Sequence, residues 1–273
     1  MCGRFVQVIN IEAIEQQFAI KNGPSITPED NYNVSPGDYA YVISSDHPDE
    51  LVRYQFGLTP NWATKPMYLF NARSEGDHNK ANDKSYSGES GIIHKPSFRK
   101  PIRSQRCLVL ANAYIEGPEK EKLNFPFAIS MKSNELFALA GIWDTWTDKN
   151  TGEIIHSFAI ITTVANEITD RIGHLRSPVI IKKGDEKKWL NSNLPLSEVI
   201  ELLQPYPGEL QKAEPISVKI KNPKNKGKAL LIPVGETITS DSPPVKVTKD
   251  IKLQGMGTRK KRKDPPEWQR KLF

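Results

Sequence analysis

The sequence predicts an α+β fold built on antiparallel sheet. Many segments have strand-like composition, the helical segments are few and short, and helices do not alternate regularly with strands. The sequence contains no internal repeat, and we expect one main domain. The segments with strand character are 39–44, 51–58, 107–111, 126–132, 136–146, 154–163 and 178–182.

Local signals set the limits of the other elements. Asn10 precedes an apolar face formed by Ile11, Ile14 and Phe18, which predicts a capped helix that ends at 23–24. The turn-forming run 148–152 joins two long strand-like segments and predicts a β-hairpin. Short helices are predicted at 166–171 and 197–203, and the polar stretch 75–100 is predicted to be mostly loop.

The composition is that of an ordinary folded chain with a basic end. Of 273 residues, 37% are apolar and 26% are charged, so a normal core and a polar surface are both expected. The net charge is +6, and residues 255–273 alone carry seven Lys or Arg against two acids. We therefore expect a main domain at 2–235 and a basic, flexible extension at 236–273. The extension can be a solvated end or can help to hold nucleic acid.

Several classes of protein are disfavoured. No apolar run approaches the roughly 20 residues that span a membrane, and no apolar stretch of signal-peptide length follows Arg4. Cys2 and Cys107 form no C-x-x-C pair, and the five histidines show no ligand spacing, so neither a metal nor another cofactor is expected. Cys107 lies in an apolar segment and is expected to be buried. A cytoplasmic, monomeric protein is predicted.

Cys2 combines two nucleophiles once Met1 is removed. Its α-amine and its thiol have reference pKa values near 7.7–8.0 and 8.5, so part of each is deprotonated near neutral pH. An amine can form an imine with an aldehyde. The neighbouring thiol can then close a five-membered thiazolidine ring, which explains a cysteine at this position. The alternative is that Cys2 follows the initiator Met by chance.

A series of short motifs along the chain decides between these alternatives. The motifs are Met-Cys-Gly-Arg-Phe at 1–5, Asn-Tyr-Asn-Val-Ser-Pro at 31–36, Phe-Gly-Leu-Thr-Pro-Asn-Trp at 56–62, Asn-Ala-Arg-Ser-Glu at 71–75, Lys-Pro-Ser-Phe-Arg at 95–99, Arg-Cys-Leu-Val at 106–109, Tyr-Ile-Glu at 114–116, Ala-Gly-Ile-Trp at 140–143, Thr-Thr at 162–163, and His174 before Pro-Val-Ile at 178–180. In this order, the series closely resembles the SOS-response-associated peptidase (SRAP) family, the abasic-site processing proteins.

The resemblance implies a barrel-like sheet with short flanking helices and a covalent reaction with DNA. Mature Cys2 would bond to the ring-opened sugar aldehyde of an abasic site in single-stranded or junction DNA, giving a thiazolidine crosslink. "Peptidase" refers to self-removal of the residues before this cysteine, and lyase activity is a further expectation. By their match to the family motifs, the implied catalytic residues are Cys2, Asn71, Glu116 and His174. The implied DNA-binding residues are Arg4, Arg73, Pro36 and Trp62.

These roles agree with the chemistry of the side chains, although each residue has a plainer reading. Glu116 and His174 can move protons, and Asn71 can both donate and accept. Arginines can bind phosphates, and Trp62 can stack on a base. In the plainer reading, Glu116 is a surface residue and His174 caps a helix. Asn71 then anchors a turn, and Trp62 fills a core. Arg73 can equally pair with Glu75.

Two motifs depart from the family pattern. The family has an acidic-Gly pair before the aromatic residue and a Trp after the Glu, whereas Gly117 follows Glu116 here. We therefore expect Glu116 to lie in a differently packed and wetter wall. After His174, only Arg176 and Pro178 of the usual Arg-Met-Pro run remain.

Two other functions remain open at this stage. Cys2 could be the thiol of an N-terminal-nucleophile peptidase or amidohydrolase without a DNA substrate, with Glu116 or His174 as base. The chain could instead be a non-catalytic single-strand-binding module that relies on Arg4, Arg73 and Trp62. The arginines disfavour the first, and a cysteine at position 2 disfavours the second. An abasic-site protein would associate with the nucleoid, or with the nucleus in a eukaryote.

Overall fold

The strands form two sheets, one of five strands and one of eight. The computed structural model describes residues 2–20 and 28–245. Its strands are β1 (Phe5–Gln7), β2 (Asn31–Val34), β3 (Tyr39–Ser44), β4 (His47–Phe56), β5 (Asn71–Arg73), β6 (Arg106–Ala111), β7 (Ala113–Glu116), β8 (Phe127–Met131), β9 (Phe137–Thr147), β10 (Ile154–Val164), β11 (Arg176–Pro178), β12 (Ile180–Ile181) and β13 (Gln211–Pro215). Its α-helices are α1 (Ile11–Phe18), α2 (Pro101–Ser104), α3 (Glu167–Arg171), α4 (Glu186–Leu190) and α5 (Leu196–Glu201).

The larger sheet closes on itself. Its strand order is β11-β10-β4-β3-β6-β9-β12, with β5 beside β10, and β10 also pairs with β9. Strands β10, β4, β3, β6 and β9 therefore form a closed ring, which leaves few exposed strand edges. Most pairs are antiparallel, but β10 is parallel to both β4 and β5. The predicted α+β class with a barrel-like, largely antiparallel sheet is confirmed, and the two parallel pairs are an addition.

The smaller sheet covers one side of the larger one. Its order is β13-β8-β7-β1-β2, and all of its pairs are antiparallel. Phe5 and Ile129 of this sheet share one buried apolar cluster with Val42 and Leu139 of the larger sheet. Cys2 belongs to the same cluster. Cys2 and Phe5 are thus buried between the two sheets.

The helices pack against a second apolar cluster. Ile14 of α1, Trp189 of α4 and Val199 of α5 are buried there. The side chain of Asn10 accepts a hydrogen bond from Ala13 N, which confirms the predicted cap. Helix α1 ends at Phe18, and the predicted stop at 23–24 lies outside the described residues.

The predicted strand 178–182 is divided between two neighbours. Strand β11 pairs with β10, whereas β12 pairs with β9. The division falls at Val179, whose N–H donates to Ile161 and whose carbonyl accepts from Ala140. The hairpin at 148–152 is confirmed, with Gly152 N donating to Asp148 O at 2.7 Å. The last predicted helix is confirmed as α5, which begins at Leu196.

Part of the predicted extension packs on the main domain. Ile238 forms a β-bridge with Ala213, and Val245 N donates to Arg171 O at 2.8 Å. The packed chain therefore reaches Val245, ten residues past the predicted boundary at 235. The basic segment 255–273 lies outside the described residues. Among the residues that are described, no helix has the length and apolar character needed to cross a membrane.

Candidate active site

Cys2 is held beside the strand that carries Glu116. Phe5 of β1 pairs with Tyr114 of β7, and Ile115 N donates to Arg4 O at 2.9 Å. This antiparallel register continues toward Cys2 on one strand and Glu116 on the other. Cys2 is 1% exposed, and its Sγ lies 3.9 Å from Arg4 O.

Asn71 contacts Cys2 from the larger sheet. It begins β5, which pairs in parallel with β10 through Asn71 and Ile160. The Nδ2 atom of Asn71 donates to Cys2 O at 2.8 Å. Its Oδ1 atom is buried and accepts no hydrogen bond from a described residue. A buried acceptor without a partner costs about 1–3 kcal/mol. This oxygen can therefore accept a hydrogen bond from a donor outside the described residues.

A sharp turn after α3 brings His174 to Glu116. Gly173 adopts φ +76°, a left-handed conformation that favours glycine, and His174 N donates to Thr169 O at 2.8 Å. The imidazole Nδ1 lies 2.9 Å from Gly117 O, and Nε2 lies 3.4 Å from Glu116 Oε2. Because a carbonyl can only accept, Nδ1 carries the proton and Nε2 presents its lone pair to Glu116.

Burial sets the protonation of this pair. It raises the pKa of Glu116 from its ordinary 4.5 to about 7 and lowers the pKa of His174 from 6.5 to about 4. At neutral pH the imidazole is therefore neutral, and the carboxyl group is close to half protonated. Such a carboxyl group can both give and take a proton at the pH of the cell.

The expectation that Glu116 lies in wetter surroundings is wrong, since the residue is only 5% exposed. Gly117 accounts for the close packing. A Cβ atom at this position would lie 1.9 Å from Lys122 O, so no side chain can follow Glu116 without moving the backbone. Burial also raises the pKa of the Cys2 thiol, and the charge of Glu116 raises it further.

A cavity of about 730 Å³ opens at this group. Arg4, Glu116, Glu119, His174 and Lys221 are among its lining residues. The cavity is large enough for a nucleotide-sized ligand. The predicted residues Arg4, Glu116 and His174 thus share one cavity. Cys2, which Asn71 contacts, is close enough to Glu116 for the carboxylate charge to act on its thiol.

Arg4 already has protein partners within this region. Its Nη1 donates to Asn33 Oδ1 at 2.9 Å and to Ser35 Oγ at 2.8 Å, and its Nη2 donates to Lys221 O at 2.7 Å. These bonds hold three segments of the chain together and orient the guanidinium. They leave part of its hydrogen-bonding capacity for another acceptor.

Arg73 and Glu75 have different partners and do not form the ion pair that the sequence offered as an alternative. Glu75 instead forms a buried ion pair with Arg176, with Nη2 and Oε2 2.8 Å apart. The side-chain oxygen of Asn82 accepts from both Arg73 and Arg176. The Nε atom of Arg73 is buried and donates to no described acceptor. Sequence reasoning missed Arg176 as a partner of Glu75, although it noted that Arg176 is retained after His174.

Pro36 and Trp62 lie on the surface outside the cavity lining. Both are exposed, and 55% of Trp62 is accessible to solvent. Trp62 therefore does not fill a core. An exposed indole can stack on an unpaired base. Cys107 is fully buried, as predicted. In the part of the chain that the structure describes, no cluster of His, Cys, Asp or Glu is arranged to hold a metal ion.

The fold is thus a closed, largely antiparallel barrel that buries Cys2 near a Glu–His pair. The chain belongs to the SOS response associated peptidase (SRAP) family, whose model matches residues 1–223.

Two abasic site processing proteins are similar in sequence to most of this chain. The abasic site processing protein YoqW of Bacillus subtilis is 33% identical over 238 residues, which cover 85% of this chain and 99% of that protein. The abasic site processing protein HMCES of Gallus gallus is 27% identical over 207 residues, which cover 67% of this chain and 57% of that protein. The similarity therefore extends to both a bacterial and a vertebrate protein.

Solved structures have the same fold. A crystal structure of a protein from Bacteroides thetaiotaomicron has a TM-score of 0.69 and 29% identity, and it covers 84% of this chain and 98% of that one. A protein from Bordetella bronchiseptica has a TM-score of 0.61 at 20% identity, over 79% of this chain and all of that one. The second similarity concerns the fold alone.

Proposed function

We propose that this chain processes abasic sites in DNA by forming a covalent crosslink through Cys2. The observation that carries the proposal is the proximity of Cys2 to two partners. Asn71 donates to its carbonyl oxygen, and the charge of Glu116, which is paired with His174 in the cavity wall, acts on its thiol. The abasic-site names of the relatives agree with it. The substrate is a single strand, or a junction with a single strand, and the protein acts as a monomer.

Removal of Met1 is the first requirement, because it converts the amide nitrogen of Cys2 into an amine. The amine adds to the aldehyde carbon of the ring-opened abasic sugar, and loss of water gives an imine. The thiol sulfur then adds to the imine carbon, while the thiol proton passes to nitrogen. One aldehyde and one cysteine thus give one thiazolidine ring and one water.

Glu116 is the proton carrier in this sequence. It protonates the departing hydroxyl group when the imine forms, and it accepts a proton when the thiol adds. A pKa of about 7 suits both steps. His174 remains neutral and, through Nε2, orients the carboxyl group and assists ring opening of the sugar.

The polar residues around Cys2 bind and orient the strand. Asn71 holds the Cys2 carbonyl through Nδ2 and offers its Oδ1 to the amine or the ring N–H. Arg4 binds phosphate through the N–H groups that its three partners leave unused, and Arg73 through its guanidinium, whose Nε donates to no described acceptor. Trp62 and Pro36 contact the strand or the duplex junction from the surface.

The autopeptidase activity proposed for this site releases the residue before Cys2, and lyase activity at the lesion is a further proposed step. A thiol peptidase without a DNA substrate is the less favoured alternative. Burial keeps the Cys2 thiol protonated, whereas a thiol nucleophile must act as thiolate. The amine-first order requires no resting thiolate.

The test uses single-stranded DNA with one abasic site and a denaturing gel without borohydride. Protein that begins at Cys2 should give a slow-migrating band that survives heating, and Cys2→Ala should give one only after borohydride trapping. An unlesioned strand of the same sequence is the control. Absence of the band with correctly processed protein refutes the proposal.

A further inference from the structure

A lysine-rich segment lies at the rim of the candidate active site. Residues 216–235 contain five lysines and no acid. The lysines are at positions 219, 221, 224, 226 and 228. Because the chain before residue 255 has a net charge near zero, any anion-binding surface there must be a local patch. This segment has the composition of such a patch.

Most of these lysines have no acidic partner. Lys226 forms an ion pair with Asp38. Within the described residues, no carboxylate pairs with Lys219, Lys221, Lys224 or Lys228, and all four are exposed. Lys221 Nζ donates to Asn124 Oδ1 at 2.7 Å, which is a neutral partner. Four uncompensated positive charges therefore face solvent on one short segment.

The backbone of the segment is firmly held. Asn33 Nδ2 lies within 3.1 Å of the carbonyl oxygens of Ile220, Asn222 and Asn225. Arg4 Nη2 donates to Lys221 O at 2.7 Å. These contacts make the segment a shaped surface rather than a mobile tail.

The same contacts fix the segment relative to the reactive residues. Ile220 is fully buried in an apolar cluster with Val6 of β1 and Ile115 of β7. Strand β1 follows Arg4 directly, and strand β7 ends at Glu116. Lys221 itself lines the cavity with Arg4, Glu116 and His174. A strand that enters the cavity therefore passes Lys221, on the same short segment that carries the other lysines.

We propose that Lys219, Lys224 and Lys228, together with Lys221, form a phosphate-binding surface for the single strand next to the lesion. The proposal rests on the proposed function for the identity of the strand. Ammonium groups at this rim bind the backbone without reading the bases, so the surface serves any sequence. Arg4 holds this segment next to the start of β1, since its Nη2 donates to Lys221 O.

The test is a triple substitution, Lys219→Gln, Lys224→Gln and Lys228→Gln. It leaves Lys221 in the cavity intact. The probe is a labelled single strand without a lesion, whose binding is followed by fluorescence anisotropy at several salt concentrations. Three lost phosphate contacts on a single strand reduce the salt slope by roughly 2 and the affinity at 0.1 M salt by roughly 100-fold. The control triple substitution, Lys182→Gln, Lys183→Gln and Lys187→Gln, removes equal charge from exposed positions outside the cavity lining.

The expected result is a large loss for the first triple variant and wild-type binding for the control, with equal melting temperatures. With saturating abasic strand, the first variant should crosslink at the wild-type rate, because its lysines do not touch the reacting atoms. Equal affinities and salt slopes for the two triple variants would overturn the proposal. If wild-type protein forms no crosslink while the first variant still loses affinity, the proposed function fails and the lysine surface stands.

Discussion

Replacing Glu116 by Gln should stabilise the protein at neutral and alkaline pH while it abolishes rapid crosslinking. Glu116 is 5% exposed, and burial raises its pKa from 4.5 to about 7. One pKa unit corresponds to about 1.4 kcal/mol, so the ionised carboxylate costs the folded state roughly 3 kcal/mol. Gln has the shape of the protonated acid and can donate to His174 Nε2, but it never ionises.

The sign of the effect follows from proton binding in the two states. Between pH 4.5 and about 7 the folded protein keeps a proton on Glu116 that the unfolded chain releases, so the wild type loses stability as pH rises. Below pH 4.5 the group is protonated in both states, and the two proteins should be equally stable. At pH 8 the imidazole of His174 is neutral in the folded protein and in the unfolded chain, so its titration does not contribute to the difference measured there.

Urea unfolding at several pH values measures this difference. The variant should match the wild type at pH 4 and exceed it by roughly 3 kcal/mol at pH 8. Glu119→Gln is the control, because that side chain is 54% exposed near the same histidine and its replacement should change stability by less than about 0.5 kcal/mol. Equal or lower stability of Glu116→Gln at pH 8 refutes the reasoning.

Three further substitutions test other contacts. Asn71→Ala should slow crosslinking roughly 100-fold in single-turnover assays, because it loosens Cys2, and should leave the affinity for an unlesioned strand unchanged. Glu75→Gln leaves Arg176 without its buried partner and should cost about 3–5 kcal/mol, lowering the melting temperature by roughly 10 °C in calorimetry. Trp62→Ala should weaken anisotropy-measured strand binding by about 1–3 kcal/mol without changing stability.

Each of these substitutions has a discriminating control. For Asn71, a loss of strand affinity as large as the loss of rate would contradict a role in positioning Cys2. For the buried pair, Glu75→Leu combined with Arg176→Met should recover most of the lost stability, and failure to do so would mean that packing dominates. For Trp62, Phe should retain part of the affinity, whereas equal binding by Ala and wild type would exclude stacking.

The elements predicted correctly are those with strong local signals. The cap at Asn10, the turn at 148–152 and the long strands β9 and β10 all depend on neighbouring residues. The missed strands β1, β2, β5, β7 and β13 have only three to five residues each. Such strands are defined by partners far along the chain, as when Phe5 pairs with Tyr114. No periodicity within three residues can indicate that pairing.

The residues of the candidate site could be named from sequence motifs, but the surroundings of their side chains could not. The motifs named Asn71, Glu116 and His174, and the structure brings them together around Cys2. The burial of Glu116 could not be predicted from the sequence, because it depends on how Gly117 packs against Lys122. Likewise, Glu75 lies two residues from Arg73 but pairs with Arg176, which is 101 positions away.

The central claim, that Cys2 condenses with the abasic aldehyde through both its amine and its thiol, is tested most directly by the intact mass of the crosslinked product. The expected mass is the protein without Met1 plus the DNA strand minus one water, and borohydride should not change it, because the ring contains no imine. Cys2→Ser should give a product that borohydride reduces or that heat releases. A wild-type adduct that retains Met1, or that gains two hydrogens on reduction, would contradict the thiazolidine.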